Sequence, residues 1–287
     1  MIQNILTCTD GSIYAPSVYD HAAWAARRSD ATVHVLHMLD PRTNVAGAFD
    51  LSGNLELDTS AELMEEIVKL EEAKSRLIRE RGKVILANAK RHLTDAGVAR
   101  VSVEQQNGRL VESVTRMEKE KQADLIVLGK RGEAADFDKL HLGSNLERVI
   151  RGSSRPVLVA ARKFVPIERF LIAYDGGPSA EKAIRFAIEQ PLLKELECHL
   201  VRAGKIDEKA EWYLQEAAGK LREAGYTVHA EAISGVPESV ISAQVGKHDI
   251  HLLVMGAYGH SRIRQLMVGS TTTEMVRTCQ VPVLMFR

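Results

Sequence analysis

The second half of the chain repeats the first, and internal repetition is the strongest early guide to architecture. NILTCTDGS at 4–12 is matched by FLIAYDGGPS at 170–179. Both are apolar segments ending in Asp-Gly, at Asp10-Gly11 and Asp175-Gly176. ADLIVLGKRG at 123–132 is matched by IHLLVMGAYG at 250–259, and LGSNLERVIRGSSRPVLVA at 142–160 by VGSTTTEMVRTCQVPVLMF at 268–286. The offset is 165 at the Asp-Gly pair and 126 to 127 at the later markers, so the second copy lacks about 39 residues after its second strand. The extra material of the first copy is the stretch around 41–60 and part of a long helix.

Each copy alternates strand and helix. In copy one, strands are expected at 2–8, 31–38, 101–106, 124–129 and 156–160, with helices at 15–28, 61–95, 109–121 and 143–151. In copy two, strands are expected at 168–174, 197–203, 227–233, 250–256 and 282–286, with helices at 180–189, 207–224, 237–247 and 269–278. Segments such as LIVLG and LLVMG are apolar at nearly every position, as in strands covered on both faces. Strict alternation implies a parallel sheet between helix layers, with right-handed crossovers. The expected fold class is α/β, with two tandem doubly wound, Rossmann-like domains, each a five-stranded parallel sheet with helices on both faces. Their expected bounds are 1–160, with the extended helix 61–95, and 168–287, joined by ARKFVPI at 161–167. That helix is rich in Glu, Lys, Arg, Leu and Ile, which reads first as a solvated amphipathic helix and second as a partner face.

Composition narrows the function classes. At 287 residues, either half can bury a core without disulfides. Lys+Arg and Asp+Glu both total 38, so no general electrostatic grip on nucleic acid or anionic membrane is expected. Cys8, Cys198 and Cys279 form no CxxC or CxxH pair, which fits a reducing cytoplasm and argues against a cysteine zinc site. The opening MIQNILTCTDGS has no signal-peptide character, and no apolar run reaches the ~20 residues of a membrane span. The histidines show no HxxxH or HxH spacing, so packing or surface roles are their default, although clusters assembled from distant positions escape that test.

The chemistry-bearing stretch is VMGAYGHSRIRQLMVGSTTTEMV at 254–276. Gly256, Gly259 and Gly269-Ser270 stand in the spacing G-x2-G-x9-G-S. Glycines let backbone approach a ligand closely, and the first turn of a helix presents free N–H groups and a partial positive charge. Such a loop ending at a helix start is built to hold phosphate oxygens, with Ser270, Thr271 and Thr272 adding hydroxyls.

The chain resembles the universal stress protein family, in particular its ATP-binding branch, whose fingerprint is G-x2-G-x9-G-(S/T). The likeness covers almost the whole chain twice, as a tandem member. It includes the DGS and DGGPS turns, GAYGHSR, the GST helix start and the closing VPVL strand. The resemblance implies that Tyr174 and Asp175 sit where the nucleoside is contacted, mainly at the ribose. It places Arg202 and Ala203 where backbone meets adenine, with His37 and Met38 as their copy-one counterparts. Met255 and Gly256 fall on the ribose and adenine side of the loop, and Gly259, His260, Gly269, Ser270 and Thr271 on the phosphate side. Asp10, Gly129, Gly132, Gly143 and Ser144 form a weaker set in copy one. The implied ligand is ATP, with or without Mg²⁺. In this family the last strand typically pairs across a dimer, so 156–160 and 282–286 can pair within the chain as a pseudo-dimer. A homodimer is expected in addition.

Copy one departs from the fingerprint, with ten residues between Gly132 and Gly143. That segment carries Glu133, Asp136, Asp138 and Lys139, a net of −2, whereas its copy-two counterpart carries Arg262 and Arg264, a net of +2. A unit charge ~8 Å from a phosphate charge is worth about 2 kcal/mol at an effective dielectric of ~20, less after salt screening. Copy two is therefore expected to bind ATP more tightly. No P-loop, GxGxxG or GxSxG is present, and no carboxylate lies between Gly256 and Thr273. The expected function is nucleotide-dependent regulation in the stress response, with no catalytic residue and no metal-ligand set assigned. A slow ATPase or autophosphorylating enzyme and a nucleotide-free interaction scaffold are the alternatives.

Overall fold

The computed structural model of the chain describes residues 1–39, 57–130, 144–257 and 270–287. The first half runs β1 (Asn4–Thr9), α1 (Ala15–Ser29), β2 (Thr32–Leu39), α2 (Leu57–Asp95), β3 (Val101–Asn107), α3 (Leu110–Glu120), β4 (Leu125–Gly129), α4 (Ser144–Gly152) and β5 (Val157–Ala160). The second runs β6 (Arg169–Ala173), α5 (Pro178–Glu189), β7 (Glu197–Gly204), α6 (Glu208–Glu223), β8 (Val228–Ser234), α7 (Pro237–Lys247), β9 (Leu252–Gly256), α8 (Ser270–Thr278) and β10 (Val283–Phe286). Local chemistry starts several helices. Pro178 and Pro237 open α5 and α7, where a missing N–H costs nothing, and Asp207 caps α6 by accepting from the Ala210 N–H at 2.8 Å.

The ten strands form one sheet in the order β3-β2-β1-β4-β5-β10-β9-β6-β7-β8. Within each half all pairs are parallel. The halves meet through β5 and β10, which pair antiparallel with Leu158 opposite Leu284. The expected intrachain pseudo-dimer is therefore realised as a continuous sheet. All eight residues of these two strands are buried, so the seam is core rather than surface. Burying a large apolar side chain there contributes about 1.5–3 kcal/mol.

Each face of the sheet carries helices from both halves. Val18 and Trp24 of α1, Leu86 and Leu93 of α2, Ala183 and Ile184 of α5, and Leu214 and Leu221 of α6 share one core. Val114 and Met117 of α3, Val149 of α4, Ile241 of α7 and Met275 of α8 share the other. Arg28 of α1 also donates from Nε to the Leu192 carbonyl at 2.6 Å, fastening the first half to a 3-10 turn of the second.

In each half the chain leaves β1 or β6 toward one side of the sheet and returns with β4 or β9 on the other. The carboxyl ends of those neighbouring strands form the crevice where open α/β sheets take ligands.

Candidate functional site

In the second half, three strand ends converge on that crevice. Ala173 pairs with Val201 on one side and Met255 on the other, so Asp175, Arg202 and Gly256 follow from adjacent strands at one edge. Asp175 is half-buried and shapes the turn itself, its Oδ1 accepting from the Gly177 N–H at 2.8 Å. Gly176 takes φ +77°, the left-handed region that favours glycine. Arg202 reaches across from β7, and its Nη1 donates to the Asp175 carbonyl at 3.0 Å. A carboxylate, a guanidinium and a tight turn thus share one corner.

The remaining edge comes from β9 and α8. The Gly256 carbonyl accepts from Thr272 Oγ1 at 3.0 Å, which ties the strand end to the first turn of α8. Thr271, half-buried beside it, donates from Oγ1 to Glu238 Oε1 at 2.6 Å. Glu238 lies in the first turn of α7. The α8 amino terminus therefore meets a carboxylate that a scan of 256–273 cannot find, because it comes from another helix. Its sequence signal is the Gly-Val-Pro-Glu start of α7 at 235–238.

The two halves differ at the equivalent corner. Gly11 also has positive φ, +72°, and Asp10 Oδ1 accepts from the Ser12 N–H at 2.9 Å. There the likeness ends, because α2 packs against the turn. Ile85 is so close to Gly11 that a Cβ on that glycine would sit 2.7 Å from it. One turn earlier the buried Gly82 packs over β2 and β3, where a Cβ would lie 2.8 Å from the His37 ring and 2.0 Å from Gln105 Nε2. His37 and Gln105 are register partners, as are Arg202 and Ala232 in the other half. In that half α6 begins only at Glu208. A Cβ on Gly204, at the end of β7, would meet nothing described within 4 Å, and one on Gly176 only Arg202 Nη1, at 3.2 Å.

The other sequence-derived residues divide as follows. Tyr174 is 3% exposed and its hydroxyl donates to Glu181, so its side chain belongs to the core and only its backbone stands at the corner. Burial, then the Glu181 carboxylate, pushes that hydroxyl above the usual phenol range. Met255 is likewise buried by its side chain, and Ala203 is half-buried at the end of β7. Gly129 closes β4, and Ser144 and Ser270 open α4 and α8. Gly132, Gly143, Gly259, His260 and Gly269 lie outside the described residues. Burial pushes the Cys8 thiol up to about 12 and also raises Cys198 and Cys279, so no thiol is set up as a nucleophile. A cavity of about 820 Å³ lies at the seam beside Lys130, Arg162 and Arg277, away from Asp175 and Arg202.

Comparison with known proteins follows this geometry. The profile described as the universal stress protein family matches residues 1–161 and 199–287. Universal stress protein Slr1230 of Synechocystis sp. is 40% identical over 289 residues, covering the whole of both chains. Universal stress protein MJ0531 of Methanocaldococcus jannaschii is 28% identical over 162 residues, 56% of this chain and 84% of its own. A solved universal stress protein from Archaeoglobus fulgidus superposes with a TM-score of 0.71 at 22% identity, covering 99% of this chain and 96% of that one, a likeness of fold.

Proposed function

The chain belongs to the universal stress protein family, and on that footing we propose that it binds one adenine nucleotide, ATP, in its second half and acts as a nucleotide-dependent regulator rather than an enzyme. The observation that carries this reading is the contrast at the two Asp-Gly turns: Ile85 lies against Gly11, while among the described residues only Arg202 lies against Gly176. A ligand needs space at that turn, and among the described residues the second half offers more of it.

In this reading the repeat units 1–160 and 168–287 are the domains. Asp175 receives the ribose hydroxyls, and the backbone at Arg202 and Ala203 borders adenine. Tyr174 and Met255 contribute backbone, and Gly256 brings the strand end close. Gly259, His260 and Gly269 belong to the phosphate loop by their fingerprint. Ser270 and Thr271 offer donors at the amino terminus of α8, whose free N–H groups favour anionic oxygens. Glu238 stands there with its own negative charge, so a polyphosphate that brings Mg²⁺ meets less repulsion than a bare one. In the first half Ile85 of α2 stands beside the Asp10-Gly11 turn, and in this reading Gly129, Gly132, Gly143 and Ser144 serve no nucleotide.

ATP occupancy would tie α8, β6 and β7 together at one corner and bias assembly, within the cytoplasm. The strands that pair across dimers in this family are used up inside the chain. Association with a second copy therefore rests on another surface. Leu70, Leu77 and Val84 of α2 are 66%, 71% and 60% exposed at seven-residue spacing, which suits helix-to-helix packing. Calorimetry tests the nucleotide reading. ATP should bind the wild-type chain and Asp10→Ala alike, while Asp175→Ala should weaken binding by about tenfold or more, the loss of a charge-assisted hydrogen bond. Equal effects of the two substitutions would refute it.

A further inference from the structure

Far from the nucleotide corner, three imidazoles and two carboxylates gather at the opposite end of the same strands. Glu197 and His199 are two residues apart on β7, so their side chains leave the same face of the sheet. His229 on β8 is the direct register partner of His199. Glu197 Oε1 lies 3.4 Å from His199 Nε2 and 2.9 Å from His229 Nε2. One potential donor atom from each of the three residues falls within 4.8 Å of the others. Bonds of about 2.0–2.2 Å to one cation place neighbouring ligand atoms roughly 3 Å apart, so the set needs only small side-chain adjustments to close on an ion.

His199 makes the arrangement hard to explain as packing alone. It is 6% exposed, and its Nε2 faces Glu197 Oε1 at 3.4 Å without the geometry of a hydrogen bond. Leaving a buried polar atom unmatched is costly, and native structures rarely do so without a reason. The His248 ring stands 4.6 Å from that of His199, at the carboxyl end of α7. Helix carboxyl ends favour cations. Glu231 adds negative charge nearby, and Lys247, 3.9 Å from Glu231, partly offsets it. His229 is exposed and leaves a path for entry.

We propose that Glu197, His199 and His229 form a binding site for a divalent transition-metal cation of the Zn²⁺ class. Two imidazoles and one carboxylate suit that class and leave positions for water. The ion joins β7 to β8, which is an edge strand of the sheet, and so works as a structural clasp. It is independent of the nucleotide reading, since its ligands sit at the amino ends of strands whose carboxyl ends carry Arg202 and Ser234.

The test is a Zn²⁺ titration of tag-free, chelator-treated full-length protein, paired with Co²⁺ absorption in the visible. One equivalent should bind with a Kd in the low-micromolar range or tighter, about what a three-ligand set allows. His229→Gln and Glu197→Gln should each weaken it by about tenfold or more and remove the Co²⁺ band. His34→Gln, a histidine hydrogen-bonded elsewhere to Ser102 and Asn4, should leave it unchanged. Zn²⁺ should raise the Tm of the wild type and of His34→Gln but of neither ligand variant. Absence of saturable binding below ~100 µM, or binding equal in all four proteins, would overturn the site and leave Glu197–His229 as an ordinary ion pair.

Discussion

Ile85 rests on Gly11 at a distance that leaves no room for even one added carbon, 2.7 Å from where a Cβ would stand. That contact makes two sequence-similar halves physically unlike. It also explains how α2, a 39-residue helix with much of its length in solvent, is seated: its last turns pack Leu86, Ala89 and Leu93 into the core, and Gly82 and Ile85 press on β2, β3 and the Gly11 turn.

The seating of α2 is tested by Gly82→Ala. In an ordinary helix interior this change stabilises by about 1 kcal/mol. Here the new carbon meets the His37 ring at 2.8 Å, and overpacking of this kind costs about 1–3 kcal/mol. Urea denaturation should therefore show no gain or a net loss; a gain of the full helix propensity would mean that α2 does not press on β2.

Glu238→Gln should strengthen ATP binding. The carboxylate accepts from Thr271 at 2.6 Å, at the end of α8 assigned to phosphate. Removing one negative charge ~8 Å from a polyphosphate is worth about 1–2 kcal/mol after screening, or roughly five- to thirtyfold in Kd. The gain should shrink when Mg²⁺ is present. Weaker binding in the variant would show that the carboxylate aids the ligand instead.

Stability should fall as pH drops below about 6.5, the ordinary histidine value. His21 is fully buried, its Nδ1 lies 2.6 Å from the Ser17 carbonyl, and its Nε2 has no partner. Burial holds its pKa below the ordinary 6.5, and His199 is lowered for the same reason. The unfolded chain then binds more protons on acidification, so stability is full above 6.5 and is lost progressively below it. Melting followed by circular dichroism from pH 7.5 to 5.5 should show this decline in the wild type, and a shallower one in His21→Gln. Identical slopes would remove His21 from the account.

Leu77→Lys should shift any dimer toward monomer in sedimentation velocity without lowering Tm, because Leu77 is 71% exposed among the described residues. An unchanged sedimentation coefficient in a dimeric protein would place the contact elsewhere.

The architecture is legible in the chain because repetition and alternation are properties of residue order. Buried strands such as LIVLG need apolar side chains on both faces, and both halves announce them. The strand and helix bounds expected from the sequence fall within a few residues of those observed, although α2 begins at Leu57 rather than at 61. The helix runs through Gly82; the residue is small because of what lies beneath, and that neighbour is contributed by β2 and β3. The proposed preference for the second half rests in sequence on loop charge. The packing of Ile85 on Gly11 offers a steric argument for it that no local pattern carries. The Glu238–Thr271 contact and the meeting of His229 with Glu197 and His199 are hidden for the same reason, since cross-strand and interhelix neighbours share no spacing.

The most direct measurement is the stoichiometry of ATP binding by calorimetry, in the wild type and in Gly132→Val and Gly259→Val. The account predicts one nucleotide per chain, retained by Gly132→Val and lost by Gly259→Val. Two nucleotides per chain, or equal losses in the two variants, would contradict it.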